Sequence, residues 1–487
     1  MARLSHLSQV YRPGFGLLTD LYQLTMAAGY YDRKVHLRPS IFHLFYRRPP
    51  FGGSFALAAG LPLAVDLIKN FRIDAEDAQY LGRLKGADGQ PLFREPFLNF
   101  LQRLKFTGSV YGIPEGEIVL PHEPLLRVEA PLIEAQLLET ALLTVMNFST
   151  LIATKAARIK AAAGDDKVLE FGLRRAQGID GGLTASRAAY IGGCDATSNV
   201  WAGRYYDIPV RGTHAHSWVM VFPREIEAFE AYAAALPGNC IFLVDTYDTV
   251  EGIRNAITVG KQLRERGHEM LGVRLDSGDL VELSRTARRM LDEAGFPEAS
   301  VVASDSLDEY AIENLKAKGA RIDTWGIGTR LATAYDQPAL GGVYKMGAIQ
   351  NERGEWEDRI KLSEDEIKTS YPGRLGVMAY DGLSAGRAEW LAGRQLYNAF
   401  DGTPRAEIVP SSGPAGTFEF PVRQRDLLTE VIHNGETRLA ALDLHRTRAR
   451  ARKNWRYWTE QLDLEKLQVG AEPRLYQRRL DLWRTSG

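Results

Sequence analysis

From about residue 167 onward, short apolar runs alternate with longer segments whose apolar residues recur at helical spacing. The apolar runs lie at residues 168–172, 189–193, 240–244, 270–275, 301–303 and 322–326. The helical segments between them lie at residues 225–235, 250–266, 280–294 and 307–318. Runs of this length predict buried strands, and the alternation predicts a parallel sheet with crossover helices.

Polar residues follow each predicted strand. These clusters lie at residues 170–175, 195–199, 213–217, 245–248, 274–279, 304–308 and 326–329. The carboxyl ends of successive parallel strands meet on one rim of a (β/α) barrel, where active sites are built. Capping of the following helices explains one or two of the clusters. We therefore predict a barrel whose rim carries a functional site.

The first 150 residues have a different pattern, which predicts short strands and helices without regular alternation. Thr19 and Asp20 are good N-cap residues for a helix that contains Tyr22. The domain prediction is an N-terminal α+β sandwich domain at 1–150 and a (β/α) barrel at 151–350. A C-terminal region at 351–487 is expected to pack partly back on the sandwich domain.

The stretch Arg211-Gly-Thr-His-Ala-His-Ser-Trp218 carries two imidazoles, and we predict that it is a strand. Positions i and i+2 of a strand point the same way, so His214 and His216 are expected to share a face. Three functions fit such a pair: a metal site like that of barrel hydrolases, a buried structural pair, or acid/base or nucleophilic chemistry near a phosphate. The metal function is disfavoured because no other histidine follows a predicted strand, and His268 precedes one.

Glycines and cations on the same rim suit a phosphate ligand. Gly326-Ile-Gly-Thr329 and the pair Gly341-Gly342 allow backbone N–H groups to turn toward an anion. The cations are Arg174, Arg175, Arg274 and Lys345. Asp276 and Asp279 suggest contacts to ribose hydroxyls or to a hydrated Mg²⁺. Capping of the next helix fits Asp279 better than Asp276.

Composition narrows the class of protein. The 487 residues are 45% hydrophobic and 25% charged, with a net charge of -1, which is typical of a soluble globular protein and argues against a polyanion-binding one. With only two cysteines, no signal sequence and no apolar run of membrane-spanning length, a cytoplasmic protein without a membrane partner is expected. We interpret the basic stretch at 446–453 as a solvated helix face that binds no nucleic acid.

Seven motifs occur in an order that is specific to one family. They are Thr19-Asp-Leu-Tyr-Gln-Leu-Thr-Met26, Pro50-Phe-Gly-Gly53, Glu170-Phe-Gly-Leu-Arg-Arg-Ala-Gln-Gly178, residues 193–199, Arg211-Gly-Thr-His-Ala-His-Ser217, Arg274-Leu-Asp-Ser-Gly-Asp279 and Gly326-Ile-Gly-Thr329. On these motifs, across roughly residues 15–375, the chain resembles the nicotinate phosphoribosyltransferases.

The resemblance implies the type II phosphoribosyltransferase fold, an irregular (β/α) barrel with an α/β sandwich domain. It implies a homodimer with the active site at the subunit interface. The implied reaction joins nicotinate to 5-phosphoribosyl 1-diphosphate, giving nicotinate mononucleotide and diphosphate, the first step of NAD salvage from nicotinate. ATP hydrolysis would be coupled through a phosphohistidine, with Mg²⁺ as cofactor and no direct protein ligand to the metal predicted.

The resemblance also assigns residues to roles. The catalytic residues would be His216, as the phosphohistidine, and Asp276. The nicotinate-binding residues would be Tyr22 from the partner subunit, Phe171, Thr213 and Arg274. The phosphoribosyl- and phosphate-binding residues would be Arg174, Asp276, Gly326, Gly328, Thr329, Gly341, Gly342 and Ser370. The family usually has threonine where Ser370 stands in Lys368-Thr-Ser-Tyr-Pro-Gly373, so the hydroxyl is retained.

Four other functions remain as alternatives. Nicotinamide and quinolinate phosphoribosyltransferases share the fold, although the segments 172–178 and 197–199 look like the nicotinate-specific family. A metal-dependent barrel hydrolase would use His214 and His216 and would contain a stoichiometric transition metal. A non-catalytic scaffold leaves the clustered strand-end charges without a reason.

Overall fold

The structure is a computed structural model that describes residues 14–362, 369–383, 390–405, 407–410, 423–440, 443–462, 464 and 467–485. The chain forms two compact units. Unit 1 comprises Met1–Thr150, Leu340–Asp443 and Lys453–Gly487, and unit 2 comprises Leu151–Ala339 and Leu444–Arg452. Residues 444–452, which belong to the predicted C-terminal region at 351–487, thus lie in unit 2.

Unit 1 is built from mixed helices and antiparallel strands. Its helices are α1 (Leu21–Asp32), α2 (Leu61–Asn70), α3 (Ala75–Gly82), α4 (Glu95–Leu101), α5 (Leu132–Leu137), the first half of α6 (Glu139–Ala163) and α16 (Pro473–Thr485). Its early strands are β1 (Pro39–Tyr46), β2 (Ala56–Leu57), β3 (Ser109–Gly112), β4 (Ile118–Val119) and β5 (Leu126–Pro131). Its later strands are β12 (Gly342–Gln350), β13 (Trp356–Asp358), β14 (Leu375–Leu383), β15 (Trp390–Asn398), β16 (Val409–Pro410), β17 (Arg423–Asp426), β18 (Thr429–His433), β19 (Glu436–Thr437) and β20 (Gln468–Ala471).

These strands form two larger sheets and one two-stranded sheet. The seven-stranded sheet has the order β13-β12-β1-β5-β3-β18-β19, and the five-stranded sheet has the order β16-β20-β15-β14-β17. β2 and β4 pair with each other. Seven of the eight residues of β1 are buried, because both faces of this strand lie inside the unit. Strands beyond residue 340 therefore complete the seven-stranded sheet that begins with β1, β3 and β5, and they form the five-stranded sheet by themselves.

Unit 2 contains the predicted parallel sheet. Its strands are β6 (Lys167–Glu170), β7 (Ala196–Thr197), β8 (Ile241–Leu243), β9 (Gly272–Leu275), β10 (Ser300–Ala303) and β11 (Thr324–Ile327), in the order β7-β6-β11-β10-β9-β8. All five pairings are parallel. Its helices are the second half of α6, α7 (Gly178–Ile191), α8 (Val200–Tyr206), α9 (His216–Val219), α10 (Glu225–Ala235), α11 (Thr249–Glu265), α12 (Leu280–Glu293), α13 (Glu309–Ala317), α14 (Thr329–Ala332) and most of α15 (Leu444–Arg456).

Helix capping accounts for more of the strand-end polar residues than we expected. Asn199 caps α8 by accepting from the Ala202 N–H, and Asp248 caps α11 by accepting from the Glu251 N–H. The other two caps are Asp279 on α12 and Asp308 on α13. Each cap satisfies an N–H group that lacks a partner within the helix. Four of the seven clusters therefore contain a structural cap, and Asp279 is one, as predicted.

The segment at 211–218 was predicted as a strand, and this prediction is wrong. Val210 forms an isolated parallel bridge with Thr197, and α9 begins at His216. The segment still fills the gap between the edge strands: the Arg211 N–H donates to the Thr197 carbonyl on the β7 side. On the β8 side, the Leu243 N–H donates to the imidazole of His214. A side chain replaces the second backbone ladder, which makes the barrel irregular.

The strand predicted at 189–193 is also wrong, because these residues belong to the end of α7 and the turn after it. The strand follows at β7. Nine of the fourteen residues of α7 are buried, so an apolar run inside it cannot be distinguished from a buried strand by periodicity.

The basic stretch at 446–453 is helical as predicted, but it is not simply a solvated face. Leu444, Thr447 and Ala451 of α15 are buried. Arg448 donates to the carbonyls of Gly193 and Cys194, at 3.0 and 2.9 Å. The basic residues therefore include one that ties this helix to the turn after α7. Among the described residues, no helix combines the length and apolar character needed to cross a membrane.

Candidate active site

Arg274 is the centre of the strand-end cluster in unit 2. It lies on β9, and its side chain is largely buried. Its Nη1 donates to the Thr213 hydroxyl at 3.0 Å, its Nε donates to the Ser304 hydroxyl at 2.6 Å, and its Nη2 donates to Asp276 Oδ1 at 3.0 Å. Because three partners hold one planar group, the orientation of the guanidinium is set before any ligand binds.

Two carboxylates lie next to this arginine. Asp276 Oδ1 also accepts from the Ser304 hydroxyl. Asp245 lies after β8, is almost completely buried, and accepts from the Asp276 N–H at 2.8 Å and the Ser277 hydroxyl at 2.7 Å through Oδ2. Its Oδ1 is buried without a hydrogen-bond partner. Asp245 was not among the predicted site residues, although it directly follows an apolar strand, and that position was the available signal.

His216 faces both carboxylates. It is the first residue of α9, and its side chain is 41% exposed. Its Nδ1 lies 3.1 Å from the Thr246 hydroxyl, while its Nε2 lies 4.0 Å from Asp245 Oδ1 and 4.0 Å from Asp276 Oδ2. The imidazole is therefore oriented by one nitrogen and is accessible to a ligand, with negative charge beside it.

His214 has a different environment, so the two histidines do not act as a pair. Its ring is buried and lies against Phe229, Tyr232 and Phe242. Its Nε2 accepts from the Leu243 N–H at 3.2 Å. Burial lowers the pKa of His214 to about 4, so the ring is neutral at pH 7. His214 therefore supports the fold of this segment, which agrees with the buried structural role among the three alternatives for this pair.

Phe171 brings an aromatic face to the same place. It follows β6, and the centroid of its ring lies 5.9 Å from Arg274 Cζ. Phe171 and Thr213 are among the residues that line a cavity of about 1220 Å³ within unit 2, and much of the rest of its lining lies at or before the amino-terminal ends of the strands. Alternate residues of β6, Lys167 and Leu169, line the cavity beyond them. A flat, anionic ligand beside Phe171 would find this aromatic ring and the guanidinium of Arg274 next to each other.

The remaining unit 2 residues of the predicted site lie in or after β6 and β11. Arg174 is exposed on a short 3₁₀ turn, Leu173–Arg175. Gly328 and Thr329 are half-buried at the start of α14. Gly326 is buried within β11 and lies against Phe171.

The other predicted residues belong to unit 1. Tyr22 is exposed on α1, and Gly341 precedes β12. A Cβ on Gly342 would lie 2.0 Å from Asn147 Oδ1, so close packing requires this glycine. Ser370 is buried, and its hydroxyl accepts from the Lys361 N–H. Lys368 of the same motif lies outside the described residues.

The described part of the chain gathers no group of three or more His, Cys, Asp or Glu side chains that could hold a metal ion. The metal-dependent hydrolase needs such a group. His214 and His216 are instead directed to different partners. The described geometry thus offers no support for that alternative.

Two family models match the chain. The nicotinate phosphoribosyltransferase N-terminal domain matches residues 17–147, and the nicotinate phosphoribosyltransferase family matches residues 167–360. Together they cover well over half of the chain.

Several proteins of known sequence or structure are similar to it. The nicotinate phosphoribosyltransferase of Bacillus subtilis (strain 168) is 53% identical over 362 residues, covering 74% of this chain and 72% of that protein. The Homo sapiens protein of the same name is 39% identical over 412 residues, covering 73% and 75%. The crystal structure of human nicotinic acid phosphoribosyltransferase has a TM-score of 0.80 at 31% identity, covering 95% and 99%.

A more distant structure, nicotinate-nucleotide pyrophosphorylase from Pyrococcus furiosus, shares the fold with a TM-score of 0.67 at 20% identity, covering 95% of this chain and 99% of that one. The fold is thus the type II phosphoribosyltransferase fold, with an irregular (β/α) barrel and an α/β sandwich domain. The two family models and the identity to the curated relatives together establish that the chain belongs to the nicotinate phosphoribosyltransferase family.

Proposed function

We propose that the protein transfers the phosphoribosyl group of 5-phosphoribosyl 1-diphosphate to nicotinate, releasing diphosphate and forming nicotinate mononucleotide. This would be the first step of NAD salvage from nicotinate. The observation that carries the proposal is the position of Arg274, which is held by Thr213 and Asp276 with its guanidinium beside the ring of Phe171. An arginine next to an aromatic face suits an aromatic carboxylate.

The nicotinate site would be shared between two subunits. Arg274 and Thr213 would bind the carboxylate, and Phe171 would cover one face of the pyridine. Tyr22 of the partner subunit would cover the other face in a homodimer. The exposure of Tyr22 on α1 supports this role, because the ring is available to another molecule.

The donor would lie between Asp276 and the glycines of the rim. Breaking the bond between the sugar and diphosphate develops positive charge on the anomeric carbon, and the carboxylate of Asp276 would stabilise that charge. Arg174, Gly328 and Thr329 would bind phosphate oxygens. The nicotinate ring nitrogen would then form the new bond to the anomeric carbon.

His216 would couple the transfer to ATP. One imidazole nitrogen attacks the γ-phosphorus of ATP, the bond to ADP breaks, and phosphohistidine forms. Hydrolysis of phosphohistidine later releases phosphate and restores the imidazole. The added negative charge would order the surrounding loops around the donor. The accessible edge of His216 and its contact with Thr246 support this role.

Mg²⁺ would accompany the diphosphate. When bound, it neutralises charge on the departing diphosphate oxygens. Asp276 and the buried Asp245 Oδ1, which lacks a hydrogen-bond donor, are suited to the water molecules of a hydrated Mg²⁺. The protein would thus hold the ion without direct ligation.

A single assay tests the proposal. Purified protein is supplied with the phosphoribosyl donor and Mg²⁺, with and without ATP, and with nicotinate, nicotinamide or quinolinate in parallel. We expect turnover of nicotinate, faster with ATP, and little turnover of the other two pyridines. Preferential turnover of nicotinamide or quinolinate would replace the proposed substrate, and equal rates with and without ATP would remove the proposed coupling.

A further inference from the structure

The missing side chain of Gly326 makes room for the ring of Phe171. A Cβ placed on Gly326 would lie 2.9 Å from both Cδ2 and Cε2 of Phe171, and 3.1 Å from Ser304 Cβ. Real Cβ atoms do not approach other carbons within 3.0 Å. Gly326 lies inside β11, where its neighbours pair with β6 in regular register. The glycine is therefore needed for space and not for an unusual backbone conformation.

The backbone on either side of Phe171 is fixed as well. The Phe171 N–H donates to the Ile327 carbonyl at 2.7 Å. A Cβ on the next residue, Gly172, would lie 2.3 Å from Ala332 Cβ, so the chain passes close to α14 at this point. The ring is consequently attached to a backbone with little freedom to move away from β11.

Glu170 connects this backbone to the interior of unit 2. It is 1% exposed, and its carboxylate accepts from the Gly172 N–H. Its other oxygen accepts from the Ser186 hydroxyl at 2.8 Å and the Thr197 hydroxyl at 2.6 Å. The carboxylate accepts from three buried donors, so each of these donors has a partner. An amide of the same shape would direct N–H groups toward some of the donors and leave them without an acceptor.

We propose that Gly326 and Glu170 are positioning residues for the pyridine ring of nicotinate, acting through Phe171. Gly326 lets the ring lie against β11, and Glu170 holds the backbone that carries it. Together they keep the ring beside the guanidinium of Arg274. The inference rests on the proposed function, and it gives Gly326 a role in pyridine binding, whereas Gly328 and Thr329 remain among the proposed phosphate contacts.

The first test is Gly326→Ala, with KM measured separately for nicotinate and for the phosphoribosyl donor. Overpacking at this contact displaces the ring of Phe171. The KM for nicotinate should therefore rise roughly tenfold, while the KM for the donor stays within about twofold. Gly181→Ala is the matched control, because its added methyl group would meet nothing within 4 Å. A selective rise in the donor KM would overturn the inference and favour a phosphate contact by Gly326.

A double-mutant cycle isolates the contact between the two residues. Phe171→Ala removes both ring carbons that the added methyl group would meet, so adding Gly326→Ala to it should have less than half the effect that it has alone, in units of log KM. If Gly326→Ala alone does not fold, as judged by thermal melting, the double variant should recover the fold. Additive effects on KM, or a double variant that still fails to fold, would contradict the inference.

Glu170→Gln tests the second positioning residue. It should raise the KM for nicotinate several-fold and leave the donor KM within about twofold, whereas general destabilisation would change both or neither. An unchanged nicotinate KM would exclude Glu170 from the role. Failure of the proposed function is distinguishable, because in that case the wild-type protein itself would not turn over nicotinate.

Discussion

Arg274 and Thr213 are 61 positions apart in the sequence, and the guanidinium of one donates to the hydroxyl of the other at 3.0 Å. Arg274 lies on β9, while Thr213 lies in the segment that fills the gap between the edges of the sheet. The hydroxyl thereby joins Ser304 and Asp276 in orienting the guanidinium. Because Thr213 lies in the irregular segment between β7 and β8, the orientation of Arg274 in the predicted nicotinate site depends on how that segment closes the barrel.

Removing either side chain should weaken nicotinate binding. Arg274→Ala removes the charge that would pair with the carboxylate, and hydrogen bonds to charged groups are worth about 1.5–3 kcal/mol. The KM for nicotinate should therefore rise by roughly 10- to 100-fold, with a smaller rise for Thr213→Val. Arg224→Ala is a control, because its ion pair with Glu227 lies on the surface. If the KM for nicotinate were unchanged in both Arg274→Ala and Thr213→Val, the carboxylate of nicotinate would bind elsewhere.

The two histidines of the 211–218 segment should have separable effects. His216→Ala should abolish label uptake from γ-labelled ATP while slow, ATP-independent transfer remains. His214→Gln should retain label uptake, because His214 contacts the Leu243 N–H inside the fold. Incubation with labelled ATP followed by acid-labile phosphate analysis separates the outcomes. If His216→Ala were labelled as strongly as the wild-type protein, the phosphate acceptor would be a residue other than His216.

Burial of His214 should make the stability of the protein pH-dependent. The unfolded chain binds a proton near pH 6.5, whereas burial lowers the pKa in the folded state to about 4. The contribution of His214 to the free energy of unfolding is therefore fully present above pH 6.5. It is lost as the pH falls from 6.5 to 4, by up to about 1.4 kcal/mol per pH unit. Melting temperatures at pH 7 and pH 5 measure the loss, which should be smaller in His214→Gln. An equal loss in the two proteins would assign the effect to other groups.

Arg448 should stabilise unit 2 from a position late in the chain. It pairs with Asp195 Oδ1 at 2.6 Å in addition to its two carbonyl contacts. Arg448→Ala leaves these partly buried acceptors unpaired and should cost about 1–3 kcal/mol. Lys453→Ala, which removes an exposed charge from the same helix, should cost much less. Chemical denaturation followed by tryptophan fluorescence compares them, and equal midpoints would show that the Arg448 contacts contribute nothing measurable.

A shared active site predicts recovery of activity on mixing. Tyr22→Ala and Arg274→Ala should each be poorly active alone, because each removes a nicotinate contact. In a mixed dimer, one site would carry both changes and the other would carry neither. After dissociation and reassociation of equal amounts, about a quarter of all sites should be intact. If activity stays at the level of the separate variants although mixed dimers form, Tyr22 acts within its own subunit or not at all.

The order of apolar runs and helical segments was sufficient to predict the parallel sheet and the side on which its polar residues gather. Those properties follow from local periodicity and from the way parallel strands are connected. The motifs that contain Phe171, Thr213, His216 and Arg274 likewise indicated the family from sequence alone. Four of these polar clusters also supply helix caps. Because Asp and Asn suit both a helix cap and an active site, residue type alone did not distinguish the two roles.

The tertiary structure decided which of these residues act together. Alternating histidines looked like neighbours on a strand, but the chain turns into α9 after Ala215 and directs His214 inward and His216 toward Asp245. The importance of Glu170 also depends on partners that lie 16 and 27 positions away. Periodicity reports only on near neighbours in the chain, whereas these contacts arise from the packing of separate elements, and for that reason only the folded structure shows them.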